Sequence, residues 1–266
     1  MTPIASILLH LDASPRCAVR LGVAARLAQR LDAGVTALYT AAPTPAAGRQ
    51  LLSEGQSLVL APALDAERRA QARALFDQAG ARAHWAEVPA DQAPVPAFVR
   101  QALVHDLVVL GQHDRDDAVA GTASDFVENV VLDSGKPVLA VPYAGRFDEV
   151  GRRVLIAWKP TRESARAVAA ALPLIPEGAS VHVVAWDNDP HEIEPLLRRH
   201  GIEAQYHREG PAMVTLGEEL LSRAADLNSD LLVMGCYGHS RARELMLGGA
   251  SRTVLQSMTL PVLLAH

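Results

Sequence analysis

The chain has 266 residues, 49% hydrophobic and 21% charged, with a formal net charge of -5. That is enough apolar material for one large or two small cores, and the acidic balance argues against nucleic acid or an anionic membrane as main partner. Cys17 and Cys236 stand far apart with neither a CxxC nor a histidine cluster, so spacing offers no disulfide framework and no zinc site.

Ile4 to Leu11 is a nearly continuous apolar run, the pattern of a strand covered on both faces of a parallel sheet. It is too short to span a membrane and lacks a positive leader, so the expected location is cytoplasmic. Asp12 ends the run. Ser14-Pro15 predict the cap and first turn of a helix whose apolar residues recur over Ala18 to Leu31, and Gly34 predicts its stop. Val35 to Thr40 reads as a second strand. Ala41 to Pro62, rich in Ala, Pro and Gly, reads as a connection, followed by a helix over Leu64 to Gly80 and a third strand over Ala81 to Val88. A helix over Val95 to Val104, a strand over Asp106 to Gly111, a helix over Phe126 to Leu132 and a strand over Val138 to Val141 complete the series.

After Ala144-Gly145 the order restarts. Strands are predicted at Arg153 to Trp158, Ser180 to Trp186 and Ile202 to His207, with helices at Ser164 to Leu172, Pro190 to His200 and Met213 to Leu227. DLVVLG at Asp106 returns as DLLVMG at Asp230, and KPVLAVPY at Lys136 as LPVLLAH at Leu260, both at one offset. An internal duplication explains this, with domains expected at 1–144 and 151–266. Alternating strands and helices predict two tandem, doubly wound α/β domains, each a five-stranded, mainly parallel sheet with helices on both faces.

The stretch from Asp230 to Ala250 carries the candidate chemistry. Its strand breaks at Gly235, Gly238 follows, and Gly248 and Gly249 open the last amphipathic segment. Glycines let backbone amides converge on an anion, and a helix N-terminus adds partial positive charge, so a phosphate could rest there. His239, Arg241 and Arg243 place cations beside the same loop. For two glycines alone, ordinary turn chemistry is an equal reading.

The spacing Gly235-x2-Gly238-x9-Gly248, set between a strand and the apolar run Leu260 to Ala265, resembles the nucleotide loop of the universal stress protein family. The duplicated strands extend the resemblance over nearly the whole chain as two tandem copies. It implies flavodoxin-like sheets with strands one and four adjacent, pairing of the halves through their fifth strands and, in some members, ATP with an aspartate after strand one facing the adenine. The signature usually ends in Gly followed by Ser or Thr, and Gly249 occupies that hydroxyl position here.

The halves depart from the pattern in opposite ways. The first keeps the aspartate, Asp12, and Gly111 corresponds to Gly235, but Asp114 replaces Gly238 and Ser124-Asp125 replace Gly248-Gly249. Asp114, Asp116, Asp117 and Asp125 would repel a triphosphate, unless a metal took them as ligands. The second half keeps the glycines but has Lys159 in place of the aspartate. The expected ligand is therefore ATP, another adenine nucleotide or a related small anion in the C-terminal half, held by Gly235, Gly238, His239, Arg241, Gly248, Gly249 and Lys159. Asp12, Gly111 and Asp114 line a degenerate N-terminal crevice.

Trp158 reads first as core and second as a base-stacking ring; His10 reads as a core or crevice histidine. Cys236 reads as a small filler, with a redox-sensitive thiol of depressed pKa as the alternative. No nucleophile pairs with a base at a recognisable spacing, so no catalytic residue is assigned. The expected role is a stress-response regulator with slow hydrolysis at most. The alternative is a nucleotide-independent, pseudo-dimeric interaction protein that recruits protein partners through the Ala41 to Pro62 connection. A further homodimer through helices is compatible with either.

Overall fold

The computed structural model describes residues 4–40, 54–79, 82–89, 91–114, 122–211, 215–236 and 249–266. The first half contains β1 (Ser6–Leu11), α1 (Cys17–Leu31), β2 (Gly34–Tyr39), α2 (Glu54–Gln78), β3 (His84–Glu87), α3 (Pro94–Ala102), β4 (Leu107–Gly111), α4 (Phe126–Ser134) and β5 (Val138–Val141). The second contains β6 (Arg153–Ala157), α5 (Arg162–Ala171), β7 (Ser180–Trp186), α6 (Glu194–Arg199), β8 (Ala204–Glu209), α7 (Leu216–Asp226), β9 (Leu231–Gly235), α8 (Gly249–Ser257) and β10 (Val262–Ala265).

The strands form one ten-stranded sheet in the order β3-β2-β1-β4-β5-β10-β9-β6-β7-β8. Each half thus has the order 3-2-1-4-5, with its first and fourth strands adjacent as expected. All pairs are parallel except β5 with β10, where Leu139 faces Leu263 across an antiparallel seam. Both seam strands are fully buried, so each half covers what would otherwise be the other's apolar edge. Helices α1, α2, α5 and α6 pack on one face of the sheet, and α3, α4, α7 and α8 on the other.

The repeated aspartate has a structural job in both copies. Asp106 Oδ2 accepts from the Ala5 and Ser6 amides at 3.0 Å each, while Asp230 accepts from Gly151 at 2.7 Å and Arg153 at 2.9 Å. Each carboxylate fastens the start of the first strand beside the fourth and satisfies amides outside the ladder.

Four local expectations are corrected. Ser14 does not cap α1: its Oγ accepts from Arg16 N in a turn, and the helix starts at Cys17. Asp32, in the left-handed region at φ 54°, ends that helix with its N–H on Ala28 O, and Gly34 already belongs to β2. Helix α2 begins at Glu54, inside the stretch read as a connection. The segment 190–200 divides into a 3-10 turn, Pro190–Ile193, and α6.

Candidate ligand-binding crevices

In a doubly wound sheet the ligand crevice opens at the carboxyl ends of the strands where the order reverses. Those points lie between β1 and β4 in the first half and between β6 and β9 in the second.

Asp12, Gly111 and Asp114 line one pocket in the N-terminal half, together with Gln112, Thr122 and Tyr143. It also holds a residue that sequence reasoning missed. Arg20, on α1, is 4% exposed; its Nη2 donates to Asp12 Oδ1 at 2.6 Å and contacts Cys17 Sγ at 2.8 Å. The guanidinium lies against the end of β4, where a Cβ at Gly111 would stand 2.2 Å from Nη1. Asp12 accepts in addition from Ser14 N and Thr122 Oγ1, each at 3.0 Å. The remaining void is about 20 Å3, roughly the space of one water. Burial opposes the Asp12 charge, but Arg20 and the hydrogen bonds from Arg20 and Cys17 outweigh it and hold its pKa far below the carboxylate range. Burial pushes the Cys17 thiol up to about 12.

His10 completes this cluster as a core histidine. Its Nε2 lies 2.9 Å from the Thr40 carbonyl, an acceptor only, so that nitrogen carries the proton. Its ring packs 4.5 Å from Phe126 and edge-on to Phe98. Burial lowers its pKa to about 4, against an opposing pull from Asp12. Between pH 6.5 and 4 the unfolded chain therefore binds a proton that the folded chain refuses, so stability falls as pH drops through that window. The loss expected from His10 is about 3 kcal/mol. Urea titrations at pH 7 and pH 4.5 should show this slope, reduced in His10→Gln, which keeps a donor for Thr40; an undiminished slope would assign it elsewhere.

The C-terminal crevice is built on the same plan with different occupants. The Lys159 amide donates to Ser164 Oγ at 3.3 Å, as the Asp12 amide does to Cys17 Sγ. The Lys159 side chain is exposed, and the position matching Arg20 in this register is Ala167, fully buried on α5. Ala167 brings no guanidinium to that place on the helix. Instead α5 itself approaches: a Cβ at Gly235 would lie 2.4 Å from Ser164 N and 2.6 Å from Glu163 C. Gly235 is thus required by contact between the first turn of α5 and the end of β9. Gly249 opens α8, and among the described residues an added Cβ there would meet nothing within 4 Å. Gly238, His239, Arg241, Arg243 and Gly248 lie outside the described residues.

Glu163 is the second residue missed from the sequence. It is 3% exposed and accepts from Arg162 Nε at 2.5 Å. Burial alone would raise its pKa, but the Arg162 bond and other hydrogen bonds bring it below the ordinary value. The redox-thiol alternative for Cys236 is corrected: the thiol is buried, points at Ala265 O at 3.3 Å, and has its pKa raised by burial and by the Glu163 charge. Trp158 is half-buried, packed against the edge of the core, with Nε1 donating to Glu192 Oε2 at 3.2 Å. Among the described residues no three His, Cys, Asp or Glu side chains form a metal-binding group, and no helix is long and apolar enough to cross a membrane.

A ten-stranded sheet made of two flavodoxin-like halves, each with a switch point between its first and fourth strands, defines a tandem doubly wound α/β protein. The model of the universal stress protein family matches residues 4–142 and 212–266. The chain belongs to the universal stress protein family. Universal stress protein Slr1230 of Synechocystis is 28% identical over 173 residues, covering 59% of this chain and 57% of that protein, so the match spans little more than half of the relative. A universal stress protein structure from Archaeoglobus fulgidus aligns over 99% of this chain and 96% of its own, with TM-score 0.72 and 17% identity. A functionally unknown protein from Pseudomonas aeruginosa PAO1 aligns over 98% and 92%, with TM-score 0.61 and 13% identity.

Proposed function

We propose that this protein is a cytoplasmic stress-response regulator in which the C-terminal half, 151–266, binds an adenine nucleotide or related small anion, and the N-terminal half, 1–144, is its fixed partner in an internal pseudo-dimer. The observation that carries the reading is the asymmetry of the crevices. Asp12 is spent on Arg20 within a nearly filled N-terminal crevice. In the other half Ala167 replaces that arginine and Lys159 stands exposed at the rim. Backbone amides near Gly238 and Gly249 would hold phosphates, with His239, Arg241 and Lys159 neutralising charge. Turnover is expected to be slow at most.

Calorimetric titration with ATP, ADP and AMP tests the assignment. The wild type should bind at least one of them saturably, and Gly238→Asp, which copies Asp114 of the first half, should weaken binding tenfold or more. Unchanged affinity in that variant would contradict the site.

A second reading is a nucleotide-independent interaction protein. The buried Glu163 carboxylate and the close approach of α5 to Gly235 favour it, since both work against an anion at that end of the sheet. It predicts no thermal shift with any nucleotide. Because α2 starts at Glu54, the deletion that tests partner recruitment is 41–53, which spares the helix.

A further inference from the structure

A second cavity lies at the joint between the halves, away from both crevices. It measures about 190 Å3 and is bounded by α1 of the first half, the segment 148–152 and Pro176 of the second. Three arginines line it: Arg26, Arg30 and Arg152. Two of them also fasten the joint. Arg26 Nη2 donates to Phe147 O at 2.5 Å, while Arg30 donates to Val150 O at 2.7 Å and Leu174 O at 2.9 Å.

Carbonyls offer these guanidiniums hydrogen bonds but no countercharge. Asp148 and Glu149 line the same cavity, yet among the described residues neither forms an ion pair with any of the three arginines. Among the residues lining the cavity three guanidiniums stand against two carboxylates, and Asp230, the carboxylate that acts on Arg30 from outside the lining, is itself paired with Arg153 at 3.7 Å. Burial, then repulsion from Arg152, lowers the Arg30 pKa, with Asp230 pulling the other way. Planar guanidiniums that share one cavity suit a tetrahedral or planar oxyanion, which takes paired N–H donors from more than one of them. Leu27 and Pro176 add an apolar wall.

We propose that this joint cavity binds a small oxyanion of the phosphate class, as the free ion or as a monoester with a compact organic body, bridging α1 to the second half. The volume is below the range of drug-sized pockets and admits a ligand of only a few heavy atoms beyond the phosphate. Arg152 is exposed and none of the joint carbonyls depends on its side chain, so Arg152→Gln removes one guanidinium and keeps the fold.

The test is calorimetric titration at constant ionic strength with inorganic phosphate and with phenyl phosphate, on the wild type, Arg152→Gln and Gly238→Asp. The expected result is saturable 1:1 binding to the wild type and to Gly238→Asp, weakened tenfold or more in Arg152→Gln. Tighter binding of phenyl phosphate identifies a monoester; equal or weaker binding identifies the free ion. Absence of saturable binding overturns the proposal. So does binding that survives Arg152→Gln and disappears in Gly238→Asp, because that ligand sits on the glycine loop.

Discussion

Replacing Arg20 by Ala should destabilise the protein by about 3–5 kcal/mol, among the largest effects of any single substitution in the chain. The pair it forms with Asp12 is buried on both sides, at 5% and 4% side-chain exposure. Removing one member leaves an uncompensated carboxylate in the interior, the costly half of the asymmetry that governs buried ion pairs. Removing both is different. Asp12→Asn with Arg20→Met should fold with near wild-type stability, because neutral groups of similar size relieve the desolvation of two ions. Guanidinium denaturation of Asp12→Asn, Arg20→Met and the double reads the coupling directly. Additive losses would mean that the pair is not the device holding the N-terminal crevice shut.

The second large effect is expected at Gly235. A methyl there meets Ser164 N, Glu163 C and Ser164 Cα between 2.4 and 2.8 Å. All three are backbone atoms of α5, which cannot rotate away. Gly235→Ala should cost about 3 kcal/mol in the ligand-free protein, the upper part of the range for overpacking. Thermal unfolding without nucleotide separates this from a phosphate-loop role, in which the variant would lose ligand and keep its melting temperature.

Much of the architecture was legible because the central strands, such as Ser6–Leu11, Leu107–Gly111 and Leu231–Gly235, are short apolar runs, and because DLVVLG and DLLVMG fix the internal alignment. Two of the local signals, at Ser14 and at Gly235, were taken up by partners outside the pattern that suggested them. Ser14-Pro15 looks like a helix start, but Asp12 Oδ1 captures the Ser14 amide and makes a turn. Gly235 reads as a loop glycine, and its constraint comes from α5, far earlier in the chain.

Arg20 had a readable signal. Cys17, Leu21, Ala24 and Ala28 mark the buried stripe of α1, and Arg20 falls inside it. A lone cation on a buried helical face requires a nearby anion, and Asp12 was available. Glu163 gave less warning, since a Glu in the first turn of a helix is ordinarily a solvated partner of the helix dipole.

The central claim, one nucleotide site per chain and that site in the C-terminal half, is tested most directly by native mass spectrometry of the purified protein during titration with ATP, ADP and AMP. A single bound nucleotide at saturation, present in Arg20→Ala and missing in Gly238→Asp, is the predicted result. An apo mass throughout the series, or two nucleotides per chain, would contradict it.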